Sequence, residues 1–155
     1  MKNRCCALDM SDKASFLNRV QDIHRIGSIQ GHLGWDQETL MPEKGAKSRG
    51  EIMAWLAALA HQKVTDSEMG ELLGRLEERD DLDESEQANV REFRKRYDKA
   101  TKLSAEFVSE FAQARSEALV GWQKARKDAD FSAFLPHLQT PVSYTHLRAH
   151  ETSNH

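Results

Sequence analysis

Few side chains in this sequence have the types and spacing that chemistry requires. The most unusual string is Trp35-Asp36-Gln37-Glu38-Thr39-Leu40-Met41-Pro42. It puts a large aromatic ring, two carboxylates and an amide at the end of a helix-period segment. Trp35, Asp36 and Gln37 are therefore the candidates to face a groove and bind a polar substrate. The same residues also suit a structural role, with the indole buried and Asp36 and Gln37 satisfying backbone groups at the break. On the residues alone, that plainer role is favoured.

Three other groups invite a chemical reading. Arg91, Arg94, Lys95, Arg96, Lys99 and Lys102 form a basic cluster that could follow a phosphate chain. A solvated helix face explains it more simply. Glu84 and Glu86 precede the cations, an order that complements the helix dipole, and Glu92/Arg96 and Asp98/Lys102 are spaced as ion pairs. His24, His32 and His61 are scattered, with none spaced i,i+4 for a shared metal. His150-Glu151-Thr152-Ser153-Asn154-His155 imitates the zinc-protease pattern His-Glu-x-x-His, in which two His share one helix face. Here the second His stands at i+5, about 140° round the helix from the first, so one ion cannot easily take both. No glycine-rich phosphate loop and no Gly-x-Ser-x-Gly elbow is present. No residue is assigned as catalytic and none as a metal ligand.

The elements that position these residues are all helical. Phe16, Val20, Ile23 and Ile26 recur at helical spacing, widened by Leu17 and Ile29, with Ser11 or Asp12 as the cap. Met41-Pro42-Glu43-Lys44-Gly45 ends that helix. A second helix spans about 46–63, with Ile52, Met53, Leu56, Leu59 and Ala60 inward. Thr65 and Glu68 read as a capping box opening a third helix that carries Met69, Leu72, Leu73 and Leu76. Asp83 with Glu86 caps a fourth, with Val90, Phe93, Tyr97 and Ala100 inward. Ser104 caps a fifth, striped by Val108, Phe111, Ala118, Trp122 and Ala125. Phe134, Leu135 and Leu138 begin a sixth. The expected class is all-α, built of antiparallel helical hairpins.

Composition agrees. The chain has 155 residues, of which only 8 are Gly and 3 Pro, too few for turn-rich β structure. A formal charge of −3 gives no basic excess for nucleic acid, and mean hydropathy of −0.71 with no long apolar run excludes a membrane span. The adjacent pair Cys5-Cys6 offers no disulfide framework, which suits a reducing cytoplasm. Residues 1–10 read as a disordered extension and 11–140 as the helical region. Residues 141–155 read as a foreign tail, because the amphipathic pattern stops mid-helix without a capping Gly. The tail looks like read-through from a truncated gene fragment into joined vector or adapter sequence.

The string Trp35-Asp36-Gln37-x-Thr39-x-Met41-Pro42, followed by Gly45-Ala46 and Arg49, resembles the carboxypeptidase Taq family of zinc metallocarboxypeptidases. The likeness continues through Leu59-Ala60-His61, Gly70-Glu71-Leu72-Leu73, Ala88-Asn89-Val90-Arg91-Glu92, Ala100-Thr101-Lys102-Leu103 and Pro136-His137-Leu138. It covers about Phe16 to Gln139 in order.

The resemblance implies the N-terminal helical part of a larger, mostly helical fold with a deep groove. It also implies zinc held by a His-Glu-x-x-His helix and a downstream Glu, peptide substrates cut at their C-termini, and a cytoplasmic homodimer. In such an enzyme zinc polarises the scissile carbonyl and the motif Glu serves as general base. None of those ligands is matched here, so this fragment is expected to bind no zinc and to be inactive alone. The alternative is a non-catalytic helical interaction module. Strong binding of the dye ANS, reporting exposed apolar surface, would count against that module.

Overall fold

The computed structural model describes the backbone from Asn3 to Ser153 and side chains from Asp12 to Thr152. Among the described residues there are six α-helices and no strand. They are α1 (Asn3–Thr39), α2 (Ala46–Val64), α3 (Ser67–Glu77), α4 (Glu84–Ala100), α5 (Ala105–Lys127) and α6 (Phe131–Ser153), with a 3-10 turn at Glu43–Gly45 between the first two. α1 packs on α2 and α3, α3 on α4, α2 on α5, and α5 on α6.

The first helix starts earlier than its caps suggest. No Pro or Gly interrupts residues 3–11, so the helix runs from Asn3 through the segment read as a disordered extension. Met1 and Lys2 lie outside the described residues, as do the Cys5 and Cys6 side chains. Asp12 caps nothing; its carboxylate instead takes Arg75 of α3 at 2.9 and 3.1 Å.

The core lies where α1, α3 and α4 meet the end of α2. Phe16 and Ile23 pack with Val64, Met69, Leu72, Leu73, Leu76, Val90 and Phe93, and the Phe16 and Phe93 rings meet edge to face at 5.6 Å. The most completely buried large side chains, Met69, Leu73 and Leu76, all belong to α3. Their i, i+4, i+7 spacing gives α3 an apolar stripe sealed on both flanks. Leu17 and Ile29 do not widen the α1 stripe as expected; both are exposed. On α2 the buried set is Gly50, Ala54, Leu56 and Val64, while Ile52 is exposed.

The caps show which local signals operate. Asp83 and Glu86 form a reciprocal capping box, each side chain bonding the other's backbone N–H. Ser104 caps α5 by accepting from the Phe107 N–H at 3.0 Å. The box expected at Thr65 and Glu68 is replaced by a tighter joint. Thr65 ends α2, its hydroxyl donating to the His61 carbonyl, and Asp66 caps α3 by accepting from the Glu68 N–H. Asp66 also accepts from Arg19 at 2.9 Å, so this cap is tied to α1. α5 ends in a Schellman turn: Asp130 N–H donates to the Ala125 carbonyl and Ala129 N–H to that of Arg126, with Ala129 at φ 52°.

α6 departs most from expectation. It contains Pro136 and Pro141, yet it continues to Ser153. Beyond Pro141 no Pro or Gly remains to stop it, and Ser143, Thr145 and Thr152 bond back to carbonyls four residues earlier. Its stripe also persists. Phe134, Leu138, Pro141 and Tyr144 are half-buried, and Tyr144 meets the Phe107 and Phe111 rings of α5 and donates to Glu110 at 2.9 Å. The helix thus continues through residues 141–153.

Candidate functional site

An open groove of about 600 Å³ lies between α1, α2, α5 and α6. Gln30, Gly34, Gln37 and Glu38 of α1 form one wall, spaced so that successive helix turns face it. Met53 and Ala57 of α2 lie beside them. α5 supplies the floor with Phe111, Ala112, Ser116, Leu119 and Trp122, and α6 the far wall with Phe134, Leu138 and Pro141. Its cations are Arg115 and Arg148, against the single carboxylate of Glu38. The Arg115 guanidinium lies over the Phe111 ring at 5.9 Å.

The three candidate residues separate. Gln37 is only 4% exposed although it lines the groove. Its amide Nε2 donates to the Ser116 carbonyl at 3.0 Å and contacts the Ser116 Oγ at 2.9 Å. The Ser116 hydroxyl lies 3.1 Å from Gln37 Oε1 and can donate to it. The pair closes a polar link between α1 and α5 with every buried polar atom matched. Asp36 faces elsewhere: its carboxylate accepts from Arg49 at 2.5 Å, while the same guanidinium also donates to the Leu33 carbonyl. Arg49 thereby clamps the start of α2 to the end of α1. Trp35 is 60% exposed and lines no part of this groove. Of the three, Gln37 alone lines this groove, and the buried indole of the plainer structural role is not found.

The basic cluster resolves into ion pairs. Arg94 makes a two-pronged contact with Glu77 of α3, both bonds 2.9 Å, and Lys95 takes Glu92 at 2.8 Å. The anticipated Glu92/Arg96 and Asp98/Lys102 pairings give way to these, and Arg96 instead covers the Phe93 ring at 5.7 Å. Lys95 pulls the Glu92 carboxyl below its ordinary value, and Glu77 raises Arg94. Burial lowers the His61 imidazole, partly offset by a backbone hydrogen bond with Leu103. His24, His32 and His61 do not converge, and His150 and Glu151 are exposed on α6 while His155 lies outside the described residues. Among the described residues no three His, Cys, Asp or Glu side chains come close enough to hold a metal ion. A catalytic zinc does not fit these residues.

Sequence reasoning missed Ser116 as the partner of Gln37, because the two are 79 positions apart and no local signal joins them. It also passed over Arg115 and Arg148, which look like ordinary surface cations until the helices bring them to one groove.

The decisive comparison is with family models. Residues 15–155 match the model described as carboxypeptidase Taq (M32) metallopeptidase. The chain belongs to this family. It is 35% identical to thermostable carboxypeptidase 1 of Thermus thermophilus over 147 residues, covering 90% of this chain and 29% of that protein. To thermostable carboxypeptidase 1 of Pyrococcus furiosus it is 31% identical, covering 82% of this chain and 26% of that one.

Solved structures agree. The crystal structure described as BsuCP superposes with a TM-score of 0.90 at 25% identity, over 94% of this chain and 29% of that one. That of the M32 carboxypeptidase from Deinococcus radiodurans R1 gives 0.68 at 30% identity, over 91% and 28%. This M32 chain thus spans under a third of the length of the curated relatives it matches.

Proposed function

We propose that this chain is the N-terminal helical part of a zinc-dependent carboxypeptidase that removes residues from the C-termini of peptides. The observation that supports this is the family match across 15–155, joined to relatives named as carboxypeptidases. On this reading the whole enzyme is a cytoplasmic homodimer that binds peptide and neither nucleic acid nor membrane. No helix among the described residues is long and apolar enough to cross a bilayer.

The chain's own part is mechanical. The Gln37–Ser116 link and the Arg49 clamp hold the hairpins in fixed relation, so that one face stays presented to the rest of the enzyme. Zinc is held by residues that this chain does not supply. The 155 residues alone have no peptidase activity.

A hybrid tests the reading. This chain replaces the matched 29% of the Thermus relative. The expected result is chelator-sensitive release of C-terminal amino acids from a peptide by the hybrid and none by this chain alone. A folded but inactive hybrid would overturn the first claim, and release by the chain alone would overturn the second.

A further inference from the structure

α1 carries Gly27, Gly31 and Gly34, spaced i, i+4 and i+7 along one helix face. A glycine inside a helix costs about 0.5–1 kcal/mol relative to Ala, so three in two turns demand a compensation. In this chain there is none. A Cβ built on any of the three would meet nothing within 4 Å. By contrast, a Cβ added at Gly70 would come within 2.5 Å of the Tyr97 hydroxyl and one at Gly121 within 2.5 Å of the His137 ring, so there the missing side chain makes room for a neighbour. The α1 glycines have the room and lack the neighbour.

Gly34 is also where this face meets the groove, whose floor is apolar through Phe111, Leu119 and Trp122. Arg115 stands at its polar edge, on the helix α5 that also supplies the floor. The relatives carry about seven-tenths of their length beyond the part matched here, and the arrangement of the helices is already that of the BsuCP structure.

We infer that the glycine face of α1 and the adjoining groove are the seat of a helix from the remaining part of the family fold. Glycines let the backbones of two helices approach closely, below the usual separation of about 8–10 Å. The occupant presents an apolar stripe to Phe111, Leu119 and Trp122 and at least one carboxylate to Arg115. The inference rests on the family membership and not on the reaction.

A sign reversal tests it. In this chain alone, Gly31→Leu fills open space and improves helix propensity, so the melting temperature rises by about 2–5 °C. In the hybrid described above the same leucine collides with the seated helix, and the melting temperature falls by about 5 °C or more. Arg115→Glu likewise lowers the hybrid and leaves the isolated chain nearly unchanged. Leu73→Ala, far from the seat, lowers both.

A shift of the same sign for Gly31→Leu in both proteins would overturn the inference. So would a hybrid that fails to fold where the Thermus protein folds. A concentration-dependent dimer of the isolated chain that Gly31→Leu abolishes would also overturn it, because the occupant would then be a second copy. The readout is thermal, so an inactive hybrid that shows the sign reversal leaves this inference standing and sinks the carboxypeptidase reading.

Discussion

The half of the molecule around α3 and the half around α5 and α6 are built from similar helices to different standards of packing. Around α3, apolar side chains from α1, α2 and α4 close over a core whose large members are almost fully inaccessible. α5 is the longer helix, yet it buries only Ser116 and Ala125, and no described side chain of α6 is buried. The difference is not one of composition. α6 brings Phe131, Phe134, Leu135, Leu138 and Leu147, but it has helices on one side only. An apolar stripe becomes a core when a second layer covers it, and here the groove stands where that layer would lie.

The largest expected effect would break this contrast if it failed. Leu73→Ala removes a fully buried side chain from α3 and should cost about 3–5 kcal/mol, whereas Leu138→Ala on α6 should cost under about 1.5. Urea unfolding of both variants checks it, and equal losses would mean that the groove half is packed as well as the core.

Next is the polar link across the two halves. Gln37→Ala leaves the buried Ser116 hydroxyl without its partner and should cost about 1–3 kcal/mol. Amide exchange should speed up in α5 more than in α3. Uniform acceleration would show that the halves unfold as one unit.

Two glycines sharpen the comparison further. Gly70→Ala forces the Tyr97 hydroxyl away from α3 where α4 has little freedom, at an expected cost of about 1–2 kcal/mol. Gly121→Ala presses on His137, but α6 can lift from α5, and the gain in helix propensity offsets about 0.5–1 kcal/mol of the strain. Melting temperatures should therefore fall for the first and move little for the second. The reverse order would mean that α6 is held more firmly than its exposure suggests.

The smallest effect at any one site is that of acid, and it inverts the ranking. Asp12 is held below its ordinary value by Arg75, Asp66 by Arg19, Asp81 by Arg79 and Glu86 by Lys13. All four lie in the α3 half; three join separate elements, and Asp81–Arg79 lies within the loop between α3 and α4. Their folded pKa values lie below the unfolded ones, so their contribution is complete above the unfolded range near pH 4 and is lost as pH falls through the folded values. In the α5–α6 half, among the described residues, the carboxyl held low is that of Asp130, through Ser132. Between about pH 5 and pH 2, amide protection should fall proportionately more in α1 and α3 than in α5. A parallel decline would show that these exposed pairs contribute little to stability.

What the sequence made legible follows the same division. Met69, Leu72, Leu73 and Leu76 were readable as a core because period and burial coincide when a helix is covered. The caps at Asp83 and Ser104 were readable because a cap is decided within four residues. Leu17 and Ile29 were misread because an apolar residue at helical spacing looks the same whether or not something covers it. The Gln37–Ser116 link and the convergence of Arg115 and Arg148 depend on how distant helices are stacked. The persistence of α6 escaped notice because the amphipathic pattern thins after Pro141, while Tyr144, which continues the stripe, does so through aromatic partners on α5.

The joint between α2 and α3 has a mechanical consequence. Thr65 closes one helix and Asp66 opens the next, with no residue between them to take up slack. Twist applied to α2 about its axis therefore passes to α3 as through a rigid elbow. One residue inserted there and absorbed into helical geometry would turn α3 by about 100°. It would bring Glu71 into the space now held by Leu72 and Arg75 into that of Leu76. The phase of the best-packed helix is thus set by the spacing of a two-residue hinge that does not bend.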